Sequence, residues 1–281
     1  FSELFRVPAI AYIYIDNSNM KLTNKVKNKI KNQLKKIIKN NKKLIEKLTD
    51  SHIFFVLPRG IHFFYDISKS FPKYQINTIF DVGANLGQSS RFYLNHFPNS
   101  EIYCFEPVKD SFTQLQQNLK DDERVHCYQL ALSSVKRNAK MAIQGTSDMF
   151  SLLDDSNELL EQNNEIATES VELVTLDEFC DFNQIDYISY LKIDTEGEDL
   201  EVLKGSKKML AEQKIDLVEV EAGMNPSNER HVPGETLKAF LESYGYFLFG
   251  IYKQMYEWPT KKPYLRRSNL LFISARMAKI K

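Results

Sequence analysis

From about residue 76 the chain alternates between short apolar runs rich in β-branched and aromatic residues and longer stretches with helical periodicity. The strand candidates are residues 78–82, 101–105, 126–130, 187–193, 215–221, 246–253 and 269–274. Helical stretches at 88–97, 111–119, 199–211 and 235–243 follow the first, second, fourth and fifth of these. Such alternation predicts an α/β fold, a parallel sheet with helices on both faces. Only fifteen residues, Pro259 and Pro263 among them, separate the last two strands. That is too short for a crossover helix, so the sheet is expected to end in an antiparallel hairpin.

Two segments depart from this rhythm. Residues 21–48 hold eleven lysines and one acid, Glu46, and their apolar positions (Val26, Ile30, Leu34, Ile37, Ile38, Leu44, Ile45, Leu48) recur at helical spacings. They predict a basic amphipathic helix, docked by its apolar stripe or, less favoured for want of Trp or Phe, resting on an anionic membrane surface. Residues 141–190 contain twelve acids and no Lys or Arg. Met141-Ala142-Ile143 and 171–174 read as short strands, and 154–165 as a polar loop or short helix.

Length and composition narrow the class. The 281 residues suit one large domain with an extension, read here as an N-terminal extension over 1–60 and a main domain over 61–281. With 43% hydrophobic and 26% charged residues, the chain is globular. Lys plus Arg and Asp plus Glu are 37 each, and this zero balance argues against a nucleic-acid binder, whose affinity rests on phosphate neutralisation. Cys104, Cys127 and Cys180 stand singly, with neither a disulfide framework nor zinc-ligand spacing. No run approaches the roughly 18 apolar residues of a membrane span, and Phe1-Ser2-Glu3 lacks the basic start of a signal peptide. A soluble cytoplasmic protein is expected, and oligomerisation stays open.

The chemistry begins where the first strand ends, in Asp81-Val82-Gly83-Ala84-Asn85-Leu86-Gly87. Gly83 and Gly87 suit a tight turn that brings a ligand close to backbone N–H groups, and Asn85 tolerates a left-handed conformation. A dinucleotide site would show GxGxxG for its pyrophosphate. Here the spacing is GxNxG, and Asp81 would repel a pyrophosphate but suit an ammonium group. Glu106 follows at the end of the next strand, 23 residues after Gly83, where α/β nucleotide folds place the acid that receives the ribose hydroxyls. Asp81 with Glu106 thus describes a pocket for an adenosine bearing an amino acid, S-adenosylmethionine.

These residues resemble the FkbM-type methyltransferases. The likeness spans about residues 75–275. It rests on Asp81–Gly87, Phe105-Glu106-Pro107, Thr175-Leu176-Asp177, the run Leu191-Lys192-Ile193-Asp194-Thr195-Glu196-Gly197-Glu198 with Leu203-Lys204-Gly205, and the closing strand Asn269-Leu270-Leu271-Phe272-Ile273. The resemblance implies a Rossmann-like class I methyltransferase fold, a seven-stranded mostly parallel sheet with an antiparallel terminal hairpin. It implies S-adenosylmethionine as cofactor and O-methylation of a hydroxyl on a sugar, glycan or glycolipid. By it, Asp81, Gly83, Asn85 and Gly87 line the methionine end, Glu106 holds the ribose, and Gln129, Ala131 and Leu132 flank the adenine.

Methyl transfer by in-line displacement needs an oriented hydroxyl and a group to take its proton. Asp194 and Glu196, leaving the fourth strand of the sheet, are candidates, as is His231 in a loop after the fifth. Asp194, Glu196 and Glu198 could together hold a hard cation, but no histidine or further acid visibly converges on them, so no metal is expected. The terminal hairpin offers Trp258, Tyr264, Arg266 and Arg267 as a lid for an anionic glycan. Two other readings stand beside the methyltransferase. One is a nicotinamide-dependent oxidoreductase, disfavoured by GxNxG and Asp81; the other is a non-catalytic glycan-binding relative.

Overall fold

In a computed structural model, described at residues 33, 36–37, 39–44, 57–143, 151–152 and 167–280, the chain divides into two units, Phe1–Arg59 and Gly60–Lys281. In the first, the described positions from 33 to 44 are helical, with Asn41 Nδ2 donating to the Ile37 carbonyl at 2.9 Å. The remainder of the basic helix predicted over 21–48 lies outside the described residues.

The second unit carries β1 (Thr78–Val82), β2 (Glu101–Phe105), β3 (Val125–Tyr128), β4 (Ala131–Leu132), β5 (Arg137–Ile143), β6 (Ser151–Leu152), β7 (Ala167–Val174), β8 (Ile188–Ile193), β9 (Ile215–Gly223), β10 (Tyr246–Glu257) and β11 (Lys262–Ser274). Its helices are α1 (Phe63–Ser70), α2 (Gln88–His96), α3 (Lys109–Leu119), α4 (Leu176–Asn183), α5 (Asp199–Lys204), α6 (Lys207–Ala211) and α7 (Gly234–Ser243). Seven strands form the main sheet in the order β10-β11-β9-β8-β1-β2-β3. Strands β9 to β3 run parallel, and β11 is antiparallel to both β9 and β10. This is the Rossmann-like sheet with its terminal hairpin.

Period-two alternation divides the core. Phe80, Leu191, Val218 and Phe272 face one side, against Val202, Leu210, Leu237 and Leu241 of the covering helices. Their neighbours Ile79, Tyr190, Leu217 and Leu271 face the other, against Phe64, Tyr93 and Leu115. Because both faces are covered, β8 and β9 are buried along their whole length.

Several details differ from the sequence expectation. The helix over 199–211 breaks at Gly205-Ser206, where the backbone presses on the loop after β4: a Cβ on Gly205 would lie 2.0 Å from the Ser133 carbonyl oxygen. Helices α1 and α4 were not foreseen, although Thr175 and Glu178 form a full capping box that starts α4. The hairpin arms reach Glu257 and resume at Lys262, so most of the fifteen residues between the expected strands are themselves β-ribbon. Within the acidic segment, residues 141–143, 151–152 and 167–174 belong to a second, four-stranded sheet, β4-β7-β5-β6, in which β5 and β7 pair antiparallel. Its middle, 154–165, lies outside the described residues.

At the centre of the main sheet the register sets Asp81 of β1 beside Lys192 of β8. Lys192 Nζ lies 2.9 Å from Asp81 Oδ1 and 3.4 Å from Asp194 Oδ2, with Asp81 fully buried and Lys192 3% exposed. Ser90 Oγ donates to the second Asp81 oxygen at 2.6 Å. Removing one partner of a buried pair strands the other charge, which costs about 3–5 kcal/mol. Urea unfolding of Lys192→Met should therefore show a loss of about that size, most of it recovered in Asp81→Asn/Lys192→Met. An unchanged midpoint in the single variant would mean that the pair does not hold the two strands.

Candidate active site

The sheet order makes β1 a turning point: the chain winds outward through β2 and β3 on one side, and through β8 and β9 on the other. Crevices at the carboxyl ends of the strands at such a point bind ligands in open α/β sheets. A cavity of about 460 Å³ occupies this position, walled by the ends of β1, β2, β4, β8 and β9 and by side chains from the hairpin.

One end is built from turns. After β1, the amides of Gly83 and Ala84 donate to the Phe105 carbonyl at 3.1 and 3.0 Å. Gly83 has φ 75°, and a Cβ there would sit 2.1 Å from the Asp194 carbonyl oxygen, so only glycine lets the two loops meet. Asn85, at φ 50°, turns its amide to Glu106 Oε2 at 3.0 Å, while the Val108 amide donates to Oε1 at 3.1 Å. The Glu106 carboxylate is thereby fixed at the wall, 7% exposed. Burial lifts its pKa to about 7, against the lowering effect of these two amides. Asn85 shares that wall, and its Oδ1 is buried with no hydrogen-bond partner among the described residues. Leu130, Ala131 and Leu132 supply the apolar side.

The other end gathers charge. Asp194, Thr195 and Glu196 enter the cavity from the loop after β8, which turns through Glu196 (φ 55°) and Gly197 (φ 121°). A Cβ on Gly197 would lie 2.4 Å from the Arg230 carbonyl oxygen. Asp199, 1% exposed at the start of α5, anchors this loop: it accepts from Thr195 Oγ1 at 2.8 Å, the Thr195 amide at 3.3 Å and the Glu221 amide at 3.0 Å. Burial raises the Asp199 pKa to about 7. Burial also pushes Asp194 upward, but Lys192, Lys253 and Arg267 outweigh it and hold this carboxyl below its usual range. Burial disfavours the Lys192 charge too, yet Asp81 and Asp194 keep its pKa well above that of an ordinary lysine.

Glu221 and Glu219 project from β9. Arg267 Nη1 donates to Glu221 Oε1, and Tyr190 and Asn269 both donate to Glu219. Opposite Glu221 lies His231, its Nε2 2.8 Å from Glu221 Oε2 and 3.3 Å from Glu196 Oε2. Burial opposes the charge on this ring, but Glu196 and Glu221 outweigh it and lift its pKa to about 9.

The expected site residues divide accordingly. Gly83, Asn85, Glu106, Ala131, Leu132, Asp194, Glu196 and Arg267 line the cavity. Asp81, expected to meet an ammonium group, instead has both oxygens bound by Lys192 and Ser90 and lies beneath the wall. Gly87, at φ 86°, starts α2 and packs against Leu115 and Leu119, which a Cβ would meet at 2.9 Å. Gln129 is exposed, with Nε2 3.4 Å from the Pro107 carbonyl. His231 is 6% exposed and is not part of the cavity wall; with no ion beside it, Glu196 and Glu221 keep the ring protonated, and in that form it has no free lone pair with which to act as a base. Trp258 and Tyr264 are exposed on the hairpin, while Arg266 binds buried Glu257 at 3.1 Å and lies 5.1 Å from the Trp258 ring. None of these three reaches the cavity. The expectation that no histidine converges on the acids fails, since Glu196, Glu221 and His231 come together. Lys192, Glu219 and Glu221 went unassigned from sequence, because each owes its role to a partner far away along the chain; Asp199 joins them through its bond to the Glu221 amide.

The profile of the family described as "Methyltransferase FkbM domain" matches residues 81–248. The 2-O-methyltransferase NoeI of Sinorhizobium fredii is 24% identical over 149 residues, which is 49% of this chain and 60% of the relative. The hexuronic acid methyltransferase AglP of Haloferax volcanii is 24% identical over 155 residues, 54% of this chain and 59% of the relative. The chain thus spans about three-fifths of the length of the relatives it matches. Among solved structures, M. capricolum TrmK with S-adenosylhomocysteine superposes with a TM-score of 0.39 at 12% identity, over 78% of this chain and 70% of that one. With its glycine turn, its Glu106 and its Lys192–Glu198 segment all inside the matched residues, the chain belongs to the FkbM methyltransferase family.

Proposed function

We propose that the chain is an O-methyltransferase acting on a hydroxyl of a sugar, glycan or glycolipid. The observation that carries this reading is one cavity with two unlike ends: a carboxylate held by two backbone amides at Glu106, and a carboxylate cluster at Asp194, Glu196 and Glu221. S-adenosylmethionine is the cofactor, and the cavity fits it. Glu106 presents a fixed acceptor for a ribose, Asn85 offers a buried oxygen without a partner among the described residues, and Leu130 to Leu132 offer an apolar side for a flat base. When bound, it supplies an electrophilic methyl group.

The chain's own groups then have two tasks. Asp194, ionised because Lys192, Lys253 and Arg267 hold its pKa low, accepts a hydrogen bond from the acceptor hydroxyl and takes its proton. Asp199 and Gly197 keep the loop that carries Asp194 in place. A sugar acceptor agrees with the names of the two curated relatives, a 2-O-methyltransferase and a hexuronic acid methyltransferase. The reading of residues 1–60 as a separate extension, and any contact of its basic helix with a membrane surface, belongs to the same proposal.

Asp194→Asn should lower kcat by about 10²-fold or more, the usual worth of a positioned proton acceptor. Its affinity for S-adenosylhomocysteine in calorimetry should change less than fivefold; full turnover in this variant would remove Asp194 from the chemistry. Glu106 gives a pH test. Only its ionised form accepts from both ribose hydroxyls, and its pKa is raised to about 7, so affinity is complete above that pH and declines below it. S-adenosylhomocysteine should bind about tenfold more weakly at pH 6 than at pH 8. Glu106→Gln should bind weakly with a flat profile; an unaltered slope in that variant would place the titrating group elsewhere.

A further inference from the structure

At the inner edge of the cavity, a histidine nitrogen and two carboxylates converge within ion-pair distance. Asn228 fixes the ring. Its Nδ2 donates to the Arg266 carbonyl at 2.9 Å, so its Oδ1 is the atom that faces His231 Nδ1, 3.0 Å away. Nδ1 therefore carries a proton, and Nε2 points at the acids. Glu221 Oε2 lies 2.8 Å from Nε2 and Glu196 Oε2 lies 3.3 Å from it. Yet neither His231 Nε2 nor Glu221 Oε2 makes an oriented hydrogen bond among the described residues, although Glu221 is 5% exposed and His231 6%. The pair is close but the ring N–H is not aimed along it, and a positive centre must stand between a nitrogen and an oxygen at this distance.

An off-axis proton on the ring is one such centre, and a metal ion is the other. Ligand atoms about 2.0–2.2 Å from an ion stand about 3.0–3.4 Å apart, close to the separations seen. All three ligand atoms lie within 4.8 Å of one another. A metal-bound histidine typically donates its other ring N–H to an oxygen, as His231 does to Asn228. Arg267 occupies the other oxygen of Glu221, and Arg230 Nε lies 2.9 Å from Glu196 Oε2; both hold the carboxylates in place.

We propose that Glu196, Glu221 and His231 bind one divalent first-row transition ion through two carboxylate oxygens and one imidazole nitrogen. This donor set suits manganese, iron or zinc. Glu196 and Glu221 both line the cavity, so the ion keeps an open position towards it. An acceptor hydroxyl placed there would be polarised beside Asp194, a role that rests on the methyl-transfer reading, whereas the ion site does not.

Mn²⁺ titration of the full chain, followed by electron paramagnetic resonance, tests the site. One saturable Mn²⁺ per chain is expected, with affinity at least tenfold weaker in His231→Gln and Glu196→Gln. Pulsed spectra of the unmodified protein should show ¹⁴N coupling from one imidazole, which does not depend on any variant folding. Absence of saturable binding, absence of the ¹⁴N coupling, or binding equal in the variants would each overturn the site and favour an imidazolium held between two carboxylates. S-adenosylhomocysteine binding, measured on the same samples, separates the two ideas. Cofactor affinity without Mn²⁺ binding sinks the ion site alone, and Mn²⁺ binding without cofactor affinity sinks the methyl-transfer reading alone.

Discussion

A lysine ammonium buried in the middle of a sheet is tolerable only between opposite charges, and Lys192 meets that condition with Asp81 on one side and Asp194 on the other. The rest of the site depends on this arrangement. Because Asp81 and Lys192 are register partners, the pair ties β1 to β8 at the strands between which the winding reverses. Because Asp194 follows β8 at once, the same ammonium fixes where the loop after that strand begins. The Asp194 amide donates to the Val82 carbonyl at 3.1 Å, and Gly83 passes beneath the Asp194 carbonyl. The crevice exists because two strand ends are held together by charge and kept from colliding by a missing side chain.

The loops around that crevice are fixed by side-chain-to-backbone bonds more than by packing. Glu106 holds the amides of Asn85 and Val108, and Asp199 those of Thr195 and Glu221. Each of these carboxylates crosses from one element to another, so the turn after β1, the loop after β8 and the end of β9 behave as one frame. Preorganisation of this kind matters for methyl transfer, where alignment of the reacting atoms supplies much of the rate. It also explains why Asp199, which does not line the cavity, is as deeply buried as the core leucines.

The fold was legible because its signals are local. Residues 78–82 and 188–193 are short apolar runs with β-branched residues, and the brief link before 269–274 admits nothing but a hairpin. Glu106 was legible for the same reason: a strand end at a set distance from a glycine turn is a local pattern. Asp81 was misread because its partner Lys192 is 111 residues away, and nothing near Asp81 shows that both its oxygens are already bound. His231 looked like a loop base because the loop is visible in sequence while its burial against Glu196 and Glu221 is not. The second sheet was half seen. In β5 and β7 one face is exposed, so polar residues interrupt the apolar pattern, and their pairing spans a stretch with no strand signal of its own.

The zero formal charge of the chain gains meaning only when its charges are placed. Five carboxylates line one cavity, those of Glu106, Asp194, Glu196, Glu198 and Glu221, and such a group would repel itself apart if left alone. Basic groups are set between them: Lys192 at Asp194, Arg230 and His231 at Glu196, and Arg267 at Glu221. Glu106 lies apart from these cations, and there burial raises the pKa to about 7. The two ends of the cavity thus solve the same electrostatic problem differently, by pairing at one and by a shifted proton equilibrium at the other. Arg267 is already engaged with Glu221. This end of the cavity therefore presents fixed carboxylates, with its arginine already paired.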